Sequence, residues 1–121
     1  MMDITGAAFW NEIADLVVSR QIVLDRPRGT AHPRYPELIY PLDYGYLENT
    51  SAADGDGIDV WIGSQDNQNL IGILCSYDTV KRDAEIKLLL GCTEADVKTI
   101  LNFNSTFMRY LYVPNPQGDK S

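Results

Sequence analysis

Three aspartates fall within six residues, Asp54, Asp56 and Asp59, at the start of a strand-like run that continues through Val60 to Ile62. Carboxylates held this close repel one another unless cations lie between them. Mg²⁺ prefers oxygen ligands of this kind and usually keeps water and substrate phosphate among its ligands. The fold must therefore bring these side chains to a polar site, and the motif indicates a metal site for phosphate chemistry.

Two other interpretations compete for the same six residues. An EF-hand calcium loop is excluded, because its sixth position requires glycine and holds Asp59 here, and no glutamate stands at its twelfth position. A solvated acidic turn stays open for the motif taken alone.

Composition limits the class of protein. A chain of 121 residues fits one domain, so we expect a single domain over residues 1–121 with a disordered tail at about 114–121. The net charge of −7 argues against a nucleic-acid partner, which requires a basic face. We see no membrane span and no signal peptide, and we expect Cys75 and Cys92 to be free thiols. These features predict a cytoplasmic protein.

Charge is segregated along the chain. Residues 20–34 are rich in arginine and contain the single histidine, whereas residues 43–59 carry five acids and no base. Such an arrangement suits an anion bound through metal ions, although scattered surface pairs that contribute little are the alternative. The candidate anion-binding residues of the basic stretch are Arg26, Arg28, His32 and Arg34.

Hydrophobic periodicity predicts a mainly β protein with two helices. One helix is predicted at 6–18, and a capping-box pattern at Thr93–Asp96 opens the second. Prolines break up the segment 26–43, which we expect to be an extended loop. About five short strands with two helices favour a small closed β-barrel over an alternating βαβ sheet.

A second group of charged residues follows the strand-like stretch at 69–77. Asp83, Glu85 and Lys87 share one face if this segment is extended, and Asp78 can reach the same side across a hairpin. A solvated hairpin is the alternative for this pattern alone. Together with the three aspartates upstream, it predicts further ligands for a cluster of metal ions.

The spacing of two motifs resembles the signature of the soluble family I inorganic pyrophosphatases. Tyr40-Pro-Leu-Asp-Tyr44-Gly-Tyr46-Leu is followed after a short gap by Asp54-Gly-Asp56-Gly-Ile-Asp59-Val. The resemblance spans roughly residues 20–92. It implies a five-stranded closed barrel of the oligonucleotide-binding (OB) type, Mg²⁺ as cofactor with Mn²⁺ as an alternative, pyrophosphate or another diphosphate as substrate, and a homo-oligomer.

The resemblance also implies roles for individual residues. Asp54 and Asp59 would ligate metal ions, and Asp56 would accept a proton from the attacking water. Asp78 and one of Asp83 or Glu85 would complete the ion cluster. The residues that would bind phosphate oxygens are Tyr44 and Lys87.

Several family features are missing from the chain. The early segment 21–24 supplies no lysine or glutamate, and the late helix lacks the usual Tyr-Lys pair. Phosphate contacts would then come from the basic stretch, from Arg26, Arg28, His32 or Arg34. Asp83 matches the family spacing from Asp78, whereas Glu85 matches the spacing to Lys87, and we favour Glu85 as the ligand.

Two functional classes follow from these observations. One is a Mg²⁺-dependent hydrolase of a phosphoanhydride, with pyrophosphate as the first candidate substrate. The other is a non-catalytic relative that binds metal, phosphate or a partner protein. The three aspartates favour the hydrolase, and the missing family residues favour the binding protein.

Overall fold

The computed structural model describes residues 2–52 and 55–117. The two predicted helices are confirmed, and the chain forms six strands. In chain order the elements are α1 (Ala7–Ser19), β1 (Ile22–Arg26), β2 (Asp43–Leu47), β3 (Asp59–Ile62), β4 (Leu70–Asp78), β5 (Asp83–Leu90), α2 (Glu94–Asn102) and β6 (Met108–Pro114).

The strands form one open sheet, so the prediction of a five-stranded closed barrel is wrong. Their order is β1-β2-β3-β5-β4-β6, with β3 and β5 parallel and every other neighbouring pair antiparallel. A barrel requires hydrogen bonds between the first and last strands. Within the described ranges β6 pairs only with β4, along seven positions, and it leaves β1 at the opposite edge.

Each face of the sheet carries its own hydrophobic cluster. On one face Trp10 and Val17 of α1 pack with strand residues such as Val60 and Leu88. On the other face Trp61, Leu74 and Leu89 pack with Val97 and Ile100 of α2, and these residues form the α2-side cluster. Because side chains alternate between faces along a strand, the run from Leu88 to Leu90 contributes to both clusters. The second cluster covers only part of its face.

The long connection between β1 and β2, residues 27–42, contains no helix or strand, as predicted for this proline-rich segment. A single bridge pairs Ala31 with Ile39. Tyr40 and Leu42 are buried in the α2-side cluster and fasten the connection to the sheet. The connection is therefore held over the part of that face that α2 leaves uncovered.

The predicted disordered tail is ordered over its first residues. Pro114 ends β6, and the Asn115 side chain donates a hydrogen bond of 2.9 Å to the Leu70 carbonyl oxygen. The side-chain amide of Gln117 donates a hydrogen bond of 2.8 Å to Asn11 Oδ1. Residues 118–121, the rest of that prediction, lie outside the described residues. Neither α1 nor α2 is long and apolar enough to span a membrane.

The predicted capping box at the start of α2 is present. The Thr93 hydroxyl accepts from the Asp96 N–H at 3.0 Å, and Asp96 Oδ2 accepts from the Thr93 N–H at 2.9 Å. Asp96 Oδ2 also accepts from the backbone and hydroxyl of Ser64, both at 2.8 Å. Burial opposes the charged form, but the hydrogen bonds from Ser64 and Thr93 outweigh it and lower the pKa of Asp96 below 3.8.

Replacing Asp96 with alanine removes a helix cap and leaves the partly buried donors of Ser64 and Thr93 unpaired. We expect Asp96→Ala to lower the free energy of unfolding by about 1–3 kcal/mol. Urea titration at neutral pH measures this loss. Glu94→Ala, at an exposed position on the same helix, is the control and should cost less than about 0.5 kcal/mol. Equal losses in the two variants would contradict the capping role.

The same cap predicts a pH dependence. Because the pKa of Asp96 is lower in the folded protein than its ordinary value of 3.8, its stabilisation is complete above pH 3.8 and is lost as the pH falls through the folded value. Urea titrations in this acidic range should show a shallower loss of stability for Asp96→Ala than for the wild type. Parallel pH profiles would show that Asp96 makes no contribution there.

Candidate functional site

A cavity of about 710 Å³ occupies the part of the α2-side face that α2 leaves uncovered. It is lined by strand residues and by the connection 27–42, and it is strongly charged. The carboxylates on its wall are Asp25, Asp56, Asp59, Asp78, Asp83 and Glu85, and the cationic side chains are Arg26, Arg34, Lys81 and Lys87.

Strand register explains why one sheet face is apolar at one end and polar at the other. Asp83, Glu85 and Lys87 of β5 line the cavity, whereas Leu89, two positions further on the same face, enters the α2-side cluster. Cross-strand partners continue the pattern on β4, where Ser76 lies opposite Glu85. The polar side chains of β5 therefore lie on the same face as Leu89, at the end of the strand that α2 does not cover.

Lys87 is the centre of a four-residue cluster on the cavity wall. Its Nζ donates to Tyr44 Oη at 2.8 Å, to Glu85 Oε2 at 3.1 Å and to Asp59 Oδ2 at 3.2 Å. The Tyr44 hydroxyl in turn donates to Asp59 Oδ2 at 2.7 Å. The cluster thus joins side chains from β2, β3 and β5 around a single ammonium group.

Burial and charge set the protonation state of this cluster. The Lys87 side chain is only 12% exposed, and burial alone would favour the neutral amine. The oxygens of Tyr44, Asp59 and Glu85 outweigh this effect and hold the pKa of Lys87 above its ordinary value. For Tyr44, burial is the main cause of a raised pKa. The cluster therefore contains an ammonium beside a neutral phenol.

The glycine between Tyr44 and Tyr46 permits the close approach of β1 to β2. A Cβ at Gly45 would collide with the backbone carbonyl of Val23 on β1. Tyr44 and Tyr46 flank this position and both line the cavity. The motif that suggested a family resemblance therefore has a local structural reason, since it directs two tyrosines to one wall.

The aspartate motif is described only in part. Asp54 lies outside the described residues. Asp56 is exposed and lines the cavity, and Asp59 opens β3 and belongs to the Lys87 cluster. The structure therefore brings Asp56 and Asp59 to the same cavity.

The second acidic group lies at the β4–β5 hairpin. Asp78 Oδ1 accepts from the backbone N–H groups of Val80 and Lys81 at 2.8 and 2.9 Å, and these bonds are the main cause of its lowered pKa. Asp83 lies opposite Asp78 and is exposed, whereas the Glu85 side chain is 25% exposed and is paired with Lys87. All three line the cavity, and Glu85 lies deeper.

Oxygen-only donors of this type suit Mg²⁺ or Mn²⁺. Within residues 2–52 and 55–117, however, no group of three or more Asp, Glu, His or Cys side chains is arranged to hold a metal ion. Two of the candidate ligands, Asp59 and Glu85, are instead held by Lys87. The donor chemistry fits the expected cation, and the described arrangement is one in which an ammonium neutralises the acids.

Three of the four predicted anion-binding residues reach the cavity. Arg26 donates to Tyr40 Oη at 3.3 Å, with its guanidinium 5.9 Å from the centre of the Tyr40 ring, and it also lies 3.6 Å from Asp25. His32 and Arg34 also line the cavity. Arg28 is exposed outside the cavity lining, and its backbone N–H binds Asp43.

His32 anchors the connection 27–42. Its Nδ1 accepts from the N–H groups of Arg34 and Tyr35 at 3.1 and 3.2 Å, and its ring stacks on Tyr40 at 6.0 Å. Nδ1 must be unprotonated to accept both bonds. Burial is the main cause of a lowered pKa for His32, and the nearby cations add to it; these are Arg26, Arg34 and Lys81, partly opposed by Glu37.

Sequence reasoning did not single out several lining residues. Lys81 lies in the hairpin turn directly after Asp78, where its proximity to the acidic group was the available signal. Tyr110 reaches the cavity from β6 and donates to the Phe103 carbonyl oxygen at 2.9 Å. Its contribution depends on β6 lying next to β4, which the sequence pattern alone does not specify.

Comparison with known proteins gives a partial similarity to inorganic pyrophosphatases. The enzymes named inorganic pyrophosphatase from Geobacillus stearothermophilus and from Bacillus sp. (strain PS3) are each 35% identical to this chain over 60 residues. The match covers 43% of this chain and only 36% of each relative's length. No family model and no solved structure matches the chain. The similarity suggests a distant relation.

The Lys87 cluster predicts a stability effect. Lys87→Met leaves Asp59 and Glu85 close together without a counter-ion, so we expect the free energy of unfolding to fall by about 1–3 kcal/mol, less than for a fully buried pair because both acids are partly exposed. Urea titration measures the loss. Lys98→Met removes an exposed pair with Glu94 and should change stability by less than about 0.5 kcal/mol. Equal effects would contradict the central role of Lys87.

His32 predicts a second pH dependence. Because its pKa is lowered from 6.5 on folding, the stability that it contributes is complete above pH 6.5 and is lost as the pH falls through the folded value. We expect His32→Gln to lose less stability than the wild type between pH 7.5 and 5. Urea titrations at several pH values provide the comparison. An unchanged pH profile in the variant would show that the two backbone hydrogen bonds do not depend on the state of the ring.

Proposed function

We propose that this chain is a Mg²⁺-dependent phosphoanhydride hydrolase whose substrate is inorganic pyrophosphate. The observation that carries the proposal is that carboxylates from three separate segments line one cavity, namely residues 56–59, Asp78 and residues 83–85, and that two of them, Asp59 and Glu85, contact Lys87. The partial similarity to inorganic pyrophosphatases supports the same substrate class.

The charge of the cavity supports a requirement for divalent cations. Six carboxylates and four cationic side chains line it, so its wall carries excess negative charge. A polyanion such as pyrophosphate is repelled by this wall unless cations enter with it. The residues that would hold Mg²⁺ are Asp54, Asp59, Asp78 and Glu85, with Asp83 beside them. Bound Mg²⁺ would supply a water of lowered pKa and neutralise phosphate charge.

The remaining roles fall to side chains of the chain itself. Asp56 would take the proton from the attacking water. Arg26, Tyr44 and Lys87 would bind phosphate oxygens. Lys87 can turn toward phosphate only when another cation replaces it at Asp59 and Glu85. Binding of phosphate by Lys87 is therefore coupled to the binding of a cation by those acids.

A second candidate is a non-catalytic protein that binds metal or phosphate at the same cavity. It is favoured by the pairing of Lys87 with Asp59 and Glu85, which leaves these acids neutralised without a metal ion. The absence of a lysine and of glutamates from residues 21–24 also favours it. Phosphate release in the presence of Mg²⁺, with pyrophosphate compared with nucleotides, separates the two candidates, since a binding protein would release none.

Substitution of the proposed base tests the mechanism. We expect Asp56→Asn to lower kcat for pyrophosphate by about 10²- to 10⁴-fold, because the attacking water loses its proton acceptor, while Mg²⁺ binding is largely kept. Asp59→Asn should weaken Mg²⁺ binding itself, measured by calorimetry. Asp15→Asn, at an exposed position on α1, should match the wild type in both measurements. Wild-type turnover in Asp56→Asn would show that Asp56 is not the base.

A further inference from the structure

Two exposed cationic side chains of the cavity lining, the outer cations, form no close ion pair in the described ranges. Arg34 comes from the connection 27–42 and Lys81 from the β4–β5 hairpin, and both are exposed and line the cavity. Within residues 2–52 and 55–117 no carboxylate oxygen lies within 4.0 Å of either side chain. Arg26 and Lys87, the other two cations of the wall, each have one or more such partners.

The two outer cations act on the same part of the cavity although they belong to different segments. Both contribute to the lowered pKa of His32 and to the lowered pKa of Asp78. Like charges brought together by the fold repel each other, and an anion placed between them removes that repulsion. Arg34 and Lys81 therefore present two exposed charged donors to one region of solvent, where the Asp78 carboxylate neutralises them only in part.

This region lies away from the Lys87 cluster. A row of ring contacts separates them, from Tyr44 to Tyr40 at 5.5 Å, from Tyr40 to His32 at 6.0 Å and from His32 to Tyr35 at 5.2 Å. Arg34 follows His32 by two positions, and its N–H binds the His32 ring. Along this row of contacts, the rings of Tyr40 and His32 lie between the Lys87 cluster and Arg34.

We propose that Arg34 and Lys81 form a second anion subsite, and that the cavity takes a linear phosphate chain of at least three phosphates. The inference rests on the proposed function, because it places the terminal phosphate of the chain at Asp59 and Lys87. The distal phosphates lie along the wall toward the outer cations. A cavity of about 710 Å³ falls in the size range of sites for ligands much larger than pyrophosphate.

The corresponding reaction is hydrolysis at the chain end. The oxygen of water bonds to the terminal phosphorus, and the bond from this phosphorus to the bridging oxygen breaks. The shortened chain leaves with the bridging oxygen, and the proton from water passes to Asp56 and then to solvent. Inorganic tripolyphosphate would give one orthophosphate and one pyrophosphate. Arg34 and Lys81 hold the part of the chain that leaves.

The experiment compares two substrates across matched variants. We measure kcat/KM for inorganic tripolyphosphate and for pyrophosphate with Mg²⁺ in the wild type, in the double variant Arg34→Ala/Lys81→Ala, and in Lys98→Ala, whose exposed lysine lies outside the cavity lining. We expect the double variant to lower the ratio of tripolyphosphate to pyrophosphate kcat/KM about tenfold, and Lys98→Ala to leave this ratio unchanged. Equal losses of kcat/KM for both substrates would show that the two cations only attract anions in general, and would overturn the subsite.

A binding measurement separates failure of the subsite from failure of the hydrolase. Calorimetry with Mg²⁺ and tripolyphosphate or pyrophosphate, on Asp56→Asn with and without the double substitution, measures binding with turnover suppressed. Hydrolysis of pyrophosphate together with equal affinity of the two proteins for tripolyphosphate would overturn the subsite and leave the proposed function intact. If neither substrate is hydrolysed but the double variant binds tripolyphosphate about tenfold more weakly and pyrophosphate equally well, the hydrolase fails and the subsite stands.

Discussion

The ammonium of Lys87 allows two carboxylates, Asp59 and Glu85, to lie close together on the face of the sheet that α2 covers only in part. Asp59 and Glu85 come from neighbouring parallel strands, and their carboxylates would repel each other in a site of reduced dielectric. Lys87 lies within 3.2 Å of both and also binds the Tyr44 hydroxyl. One side chain thereby ties together β2, β3 and β5, and the cavity wall exists because these three strands meet there.

The cavity lies where α2 no longer covers the face of the sheet. The same rows of β4 and β5 that supply Leu74 and Leu89 to the core supply Ser76, Glu85 and Lys87 to the cavity. The capping box of α2 is tied to Ser64 through Asp96, which fixes the helix against the end of β3. The register of β5 therefore determines both which residues enter the core and which line the cavity. A shift of β5 by one residue would turn its cavity-lining side chains to the opposite face of the sheet.

Local features were predictable from the sequence, and long-range pairing was not. Periodicity predicted both helices, and spacing predicted the capping box at Thr93. Alternation also placed Asp83, Glu85 and Lys87 on one side, where the structure has them on the cavity wall. The open sheet was missed because no local pattern specifies that β6 takes the outer edge of β4. Lys81 was missed although its proximity to Asp78 in the sequence was a signal, because its place on the cavity wall depends on how the hairpin and the connection 27–42 come together.

In the proposed function, the Lys87 ammonium competes with Mg²⁺ for Asp59 and Glu85. A Mg²⁺ ion bound by these two acids would have to displace an ammonium that is held by three oxygens, so part of its binding energy would go into that exchange. A wall without the lysine would hold ions more tightly and release them more slowly. If the proposed function holds, ion occupancy of this wall would therefore follow the surrounding Mg²⁺ concentration.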